Sequence, residues 1–199
     1  MVGGLTPMTT IDFPGELAAV IFCQGCPWRC HYCHNPELLS CRGEREIPWG
    51  EVHDFLKQRQ GLLDGVVFSG GEPTLQRSLA QAVDQAKNLG FKVGLHTSGA
   101  YPKRLANLLP MIDWVGLDIK ALPEKYTDLT GVPGSGERAW ESASRVIDSG
   151  VGYEIRTTYH PDLYPVDDLE QIVSRLDLLG AKNLKLQQCI LPPPGTSNS

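Results

Sequence analysis

The chain has 199 residues, 41% of them hydrophobic, with a formal charge of −5 at pH 7 and a pI near 5.5. That length suffices for one domain with its own core, and the acidic balance offers no field for a nucleic-acid backbone. No run approaches the roughly eighteen apolar residues of a membrane span, and Met1–Pro7 lacks the charged start and apolar core of a secretory leader. The protein is therefore expected to be cytoplasmic, with protein or small-molecule partners rather than nucleic acid or membrane.

In chain order, the apolar run Glu16–Phe22 reads as a buried strand that delivers a cysteine-rich loop from its carboxyl end. Ile47–Arg59 reads as a helix with Val52, Phe55 and Leu56 on one side, and Gly65–Phe68 as the second strand. Leu75, Leu79, Ala82, Val83, Ala86 and Leu89 mark the next helical stripe, closed by Gly90. Phe91–Leu95 is strand-like, Pro102–Leu109 a short helix, and Met111–Leu117 a further apolar strand. Trp140, Ala143, Val146 and Ile147 share a helical face before the strand Tyr153–Thr158. A last helix carries Leu169, Ile172, Val173, Leu176 and Leu179 ahead of a final strand, Asn183–Gln187.

Six strands alternating with helices predict a parallel α/β structure with right-handed crossovers, either an open sheet or a barrel. In both, ligands bind at the carboxyl ends of the strands. The polar motifs fall there: the cysteines, Ser69–Glu72, His96–Gly99, Asp118–Lys120 and Arg156–Tyr159. Residues 1–191 are expected to form a single domain, and 192–199 (Pro192-Pro193-Pro194-Gly195-Thr196-Ser197-Asn198-Ser199) a disordered tail.

Four of the six cysteines fall between Cys23 and Cys33. Cys26, Cys30 and Cys33 have the spacing C-x3-C-x2-C, which lets one loop place three thiolates around a four-iron cluster and leave one iron open. Other uses of these residues are a structural zinc site of two Cys-x2-Cys pairs, for which the pairs are unusually close, or a closed electron-carrying cluster with Cys23 as fourth ligand. Disulfides do not suit a reducing compartment.

The triad, with Tyr32 just before its last cysteine, resembles the radical S-adenosylmethionine (SAM) superfamily. Cys33-His34-Asn35, Ile11-Asp12-Phe13-Pro14-Gly15 and Asp64–Pro73 resemble the glycyl-radical activating enzymes, most of all the anaerobic ribonucleoside-triphosphate reductase activating proteins. The resemblance runs from about Gly4 to about Pro161. It implies a partial (β/α)6 barrel of the radical SAM type, with Cys26, Cys30 and Cys33 as catalytic metal ligands and a [4Fe–4S] cluster and SAM as cofactors. It further implies that Ser69, Gly70, Gly71 and Glu72 bind the methionine amino group, that Thr97, Ser98, Asp118 and Lys120 contact the methionine and ribose, and that Tyr32 and Trp28 shield the cluster and flank adenine.

The implied reaction is reductive cleavage of SAM and removal of a hydrogen atom from a glycine Cα of a partner. That partner is an anaerobic ribonucleotide reductase or a similar glycyl radical enzyme, with reduced flavodoxin or ferredoxin as electron donor. A radical SAM enzyme of the deazapurine-precursor type, acting on a small molecule, would share the triad and the SAM segment. His96 is a departure, since related activases carry Asp at that position, which puts any cation site there in doubt. Cys23 is expected to pack beside the cluster as a small apolar group, and Cys41 and Cys189 to be structural. Arg156 could grip a carboxylate. No role is assigned to His31, His34, His53 or His160.

Overall fold

The computed structural model describes residues 1–159 and 165–188. Seven strands form one sheet in sequence order: β1 (Val2–Thr9), β2 (Ala18–Cys23), β3 (Gly65–Gly70), β4 (Lys92–Thr97), β5 (Trp114–Asp118), β6 (Gly152–Tyr159) and β7 (Leu184–Gln188). From β2 to β7 every pairing is parallel, which requires crossover connections. The connections carry α1 (Trp49–Gln58), α2 (Leu79–Asn88), α3 (Pro102–Leu108), α4 (Tyr126–Thr130), α5 (Ser135–Asp148) and α6 (Val166–Leu178). β1 and β7 are the two edges of the sheet. The α/β architecture is thus an unclosed, partial barrel.

The six expected strands are present with small shifts at their ends, but β1 is an addition. Gly3, Gly4 and Pro7 are poor strand formers and hide it from pattern reading. As an edge strand antiparallel to β2 it tolerates them, and Pro7 sits where the register shifts between Thr6 and Thr9. The five-residue α4 was likewise too short to show a helical period. The expected tail at 192–199, with Cys189 and His160, lies outside the described residues. No helix among the described residues is long and apolar enough to cross a membrane.

Alternation along the strands builds two cores. Ile21, Phe68, Val93, Leu95, Val115, Leu117 and Ile155 face outward and join Val52, Leu56, Val83, Leu105, Val146 and Ile172 from the helices. Ala18, Val20, Val67 and Trp114 face inward around Phe13, which the β1–β2 loop tucks into the concave face. Glycine is required opposite that ring: a Cβ at Gly65 would lie 3.0 Å from it and one at Gly94 3.3 Å away. Burying the Phe13 side chain contributes about 2–3 kcal/mol. The Ile11–Gly15 segment therefore floors the barrel, and the carboxyl ends of β2 to β6 make its opposite rim.

Candidate active site

The cysteine loop leaves the rim at the end of β2 and is tied down along its length. Gly25 N–H donates to the Leu38 carbonyl at 2.9 Å, Cys26 N–H to Leu39 at 3.1 Å, and Arg29 N–H to Thr130 at 2.9 Å. The Arg29 guanidinium donates to the carbonyls of Cys26 and Trp28 at 2.6 and 2.9 Å. Gln24 Nε2 holds the returning segment through the carbonyls of Glu37 and Ser40.

These anchors leave Cys26, Cys30 and Cys33 on the wall of one cavity. The same cavity is lined by Ser69, Gly70 and Gly71 at the end of β3, His96, Thr97 and Ser98 at the end of β4, Asp118 and Lys120 at the end of β5, and Arg156 from β6. Tyr32, Trp28, His34, Asn35 and Leu39 complete the wall. Leu39 was not singled out from sequence, and Asn35 only as part of the motif after the triad; their place in the loop returning from it is the signal that points to both.

Burial pushes the Cys26 thiol up to about 12, opposed by the Trp28 backbone N–H and reinforced by the charges of Glu72, Cys30 and Cys33. Cys30 is also raised by burial, against the pull of Lys120. Cys26, Cys30 and Cys33 on one wall form a thiol donor set suited to a strongly cationic centre. Among the described residues no three His, Cys, Asp or Glu side chains gather tightly enough for a single metal ion. Three thiols from one loop lining one cavity are the donor chemistry that a [4Fe–4S] cluster takes, and the triad fits that group in kind.

Cys23 sits elsewhere. The alternation of β2 turns it outward, into a separate pocket with Ile21, Trp49 and Phe68, where burial pushes its thiol up to about 12. It packs as a small apolar group, as expected, but that alternation sets it in this pocket and not on the wall with the triad. Cys41 is exposed.

The glycines after β3 answer first to the protein itself. A Cβ on Gly71 would lie 2.4 Å from the Gly25 carbonyl oxygen, and one on Gly70, at φ +101°, 2.6 Å from Cys23 N. Gly71 N–H donates to the Cys23 carbonyl and Glu72 N–H to that of Gly25, each at 2.9 Å. The segment is thus bolted to the root of the cysteine loop.

Glu72 is fully buried, and its carboxylate is taken up by the protein's own donors. Its Oε1 accepts from Thr74 N–H at 3.0 Å and from the hydroxyls of Thr74 and Thr97 at 2.5 and 2.7 Å. Its Oε2 accepts from Ser98 N–H at 2.9 Å and the Ser98 hydroxyl at 2.5 Å. With both oxygens engaged, the carboxylate clamps the end of β3 to the end of β4. Thr97 and Ser98 therefore spend their hydroxyl protons on Glu72, and the Thr97 oxygen also accepts from Gly99 N–H at 3.0 Å.

His96 Nε2 lies 2.8 Å from the Asp12 carbonyl oxygen, so this nitrogen carries the proton and donates. Burial and then Arg156 depress its pKa, leaving a neutral ring whose Nδ1 faces Ser69 Oγ and Arg156 Nη1 at 3.5 Å each. A neutral ring beside a guanidinium offers no negative charge to a cation. Arg156 crosses the concave face above Trp114, 5.2 Å from its ring, with Nε donating to Glu154 at 2.9 Å. Gly116 makes room, since a Cβ there would lie 2.8 Å from the guanidinium. Burial works against the Lys120 ammonium, yet Asp118 at 3.1 Å holds its pKa well above the lysine range. Its Nζ lies 5.9 Å from the centre of the Tyr32 ring.

The model of the radical SAM superfamily matches residues 20–179. The chain belongs to that superfamily, whose cofactors are a [4Fe–4S] cluster and SAM. It is 34% identical over 182 residues to a candidate glycyl-radical enzyme activating enzyme of Methanocaldococcus jannaschii, covering 86% of this chain and 73% of the relative. Over 191 residues it is 30% identical to the pyruvate formate-lyase-activating enzyme of Clostridium pasteurianum, covering 92% and 77%. Within the superfamily, this enzyme is one of the glycyl-radical enzyme activating enzymes.

Among solved structures, SuiB of Streptococcus suis bound to S-adenosylmethionine superposes with a TM-score of 0.68 at 17% identity, over 89% of this chain and 41% of that one. The protein anSMEcpe with bound AdoMet gives 0.71 at 17% identity, over 88% and 52%. At such identity the likeness bears on the fold alone, and the chain spans about half or less of those longer chains.

Proposed function

We propose that this activating enzyme places a glycyl radical on an anaerobic ribonucleoside-triphosphate reductase and takes its electron from reduced flavodoxin or ferredoxin. The observation that carries the activase chemistry is the single cavity in which three loop cysteines face the ends of β3, β4, β5 and β6. Bound there, the cluster and SAM would supply the reductive radical chemistry that takes a hydrogen atom from a glycine Cα.

The chain's own residues do the rest. Cys26, Cys30 and Cys33 would hold the cluster and leave it a position open to SAM. The backbone of Ser69, Gly70 and Gly71 meets the ligand's ammonium group, and acceptor oxygens of Thr97, Ser98 and Asp118 meet its polar edges. Glu72 acts behind this wall as a positioning residue, because its oxygens are already engaged by Thr74, Thr97 and Ser98. Lys120, paired with Asp118 and lying over Tyr32, keeps the ring in place along the cavity wall. Arg156, with its Nε on Glu154 and its Nη atoms 3.3–3.5 Å from His96, keeps further N–H donors for a ligand carboxylate.

A second partner has a specific observation in its favour: a pyruvate formate-lyase-activating enzyme matches along 92% of this chain. The test mixes reduced, cluster-loaded protein and SAM with each candidate partner and records electron paramagnetic resonance. A glycine-centred doublet with the reductase supports the proposal. A doublet with pyruvate formate-lyase alone would transfer the assignment.

A further inference from the structure

Trp28 stands between the first two cysteines of the triad, lines the cavity and is 1% exposed. Its indole Nε1 is buried without a hydrogen-bond partner among the described residues. Buried tryptophan N–H groups ordinarily find an acceptor, and leaving one orphaned costs about 1–3 kcal/mol. The neighbouring loop carbonyls of Cys26 and Trp28 already accept from Arg29. The ring itself is held edge-on against Tyr126, with centroids 5.7 Å apart.

What this corner lacks is an acceptor for the indole, and sulfur ligated to iron is such an acceptor. We propose that the Trp28 indole N–H donates a hydrogen bond to a sulfur of the [4Fe–4S] cluster held by Cys26, Cys30 and Cys33, and thereby sets its reduction potential. The inference rests on the ligation proposed above and goes beyond it, giving Trp28 a tuning role that shielding alone would not require.

The sign follows from charge. A donor aimed at cluster sulfur favours the form with more negative charge, which is the reduced one, so the bond raises the potential. Burial beside Tyr126 keeps water from replacing it. Trp28→Phe retains an aromatic ring against Tyr126 and removes the donor.

The experiment uses cluster-loaded protein carrying 15N-tryptophan, reduced and examined by pulsed electron paramagnetic resonance, together with a potentiometric titration. A 15N coupling should appear in the wild type and vanish in Trp28→Phe. The variant's one-electron reduction equilibrium should fall about tenfold, or about 59 mV. Absence of 15N coupling in the wild type overturns the proposal, and that measurement stands even if the variant does not assemble. An unchanged potential with a lowered melting temperature in Trp28→Phe would also overturn it, giving the N–H to the Tyr126 ring. Iron and sulfide content of Cys30→Ala reports on ligation separately, so a wrong ligand set and a missing hydrogen bond give different results.

Discussion

Five donors converge on the two oxygens of the buried Glu72 carboxylate. Removing the carboxylate orphans buried hydroxyl and N–H groups, each costing about 1–3 kcal/mol. Glu72→Ala should lower the melting temperature and weaken SAM binding together, as thermal unfolding and calorimetry would register. Lost SAM binding with an unchanged melting temperature would return the side chain to the ligand. The cysteines make a sharper contrast. Ala at position 26, 30 or 33 should abolish the cluster by iron and sulfide analysis, whereas Cys23→Ala, on the other face of β2, should retain it. Equal iron loss in all four would refute the open-site ligation. His96 supplies a pH dependence. Its folded pKa lies below the usual value near 6.5, so the unfolded chain takes up the proton first as pH falls. The stability from the neutral ring is complete above the unfolded pKa and lost as pH drops toward the folded one. His96→Gln should flatten melting temperature against pH below about 6.5, and an undiminished slope would acquit the histidine.

At the scale of elements, the active site depends on how two backbones touch. The turn after β3 and the root of the cysteine loop approach so closely that Gly71 has no space for a methyl group. Gly71→Ala should displace the loop, so that reconstituted iron falls by half or more while circular dichroism still reports the barrel. Gly90→Ala is the control: its φ is +91° but nothing lies within 4 Å, so it should lower stability by about 1–2 kcal/mol and leave iron content alone. Matching iron loss in both variants would locate the effect in general destabilisation. The barrel floor offers a separate lever, since Phe13→Ala opens a cavity under Trp114 and should cost about 3–5 kcal/mol.

For the whole molecule, an unclosed sheet leaves the rim accessible to a macromolecular substrate. A partner that inserts its own glycine loop would also exclude water from the radical. SAM cleavage should therefore be slow and uncoupled in the protein alone and become coupled when the partner is added. Deuterium at the partner's glycine Cα should appear in 5′-deoxyadenosine. Deuterium transfer from a small metabolite instead, with no glycyl radical on any candidate partner, would favour a small-molecule enzyme. The Trp28 hydrogen bond bears on the same step, because it sets how strong a reductant the electron donor must be.

By itself, the sequence determined the cofactor chemistry and the succession of elements. Three cysteines at C-x3-C-x2-C lie close enough along the chain for one loop to present them, and the alternation of buried strands with helical stripes is local too. The rim placement of Thr97, Asp118 and Arg156 followed from parallel topology without coordinates. Tertiary structure decided what depended on direction and on distant partners. Whether Cys23 faces the cluster or the helices turns on the phase of β2, and Glu72 looked like a ligand contact until Thr97 and Ser98 arrived from the next strand to occupy its oxygens. Gly71 is small because Gly25, far away in sequence, lies against it. β1, with two glycines and a proline, is a strand only because β2 offers it an edge. Local patterns encode what a segment can form, while the direction of each side chain and the use of each polar atom are settled only when segments remote in sequence pack together.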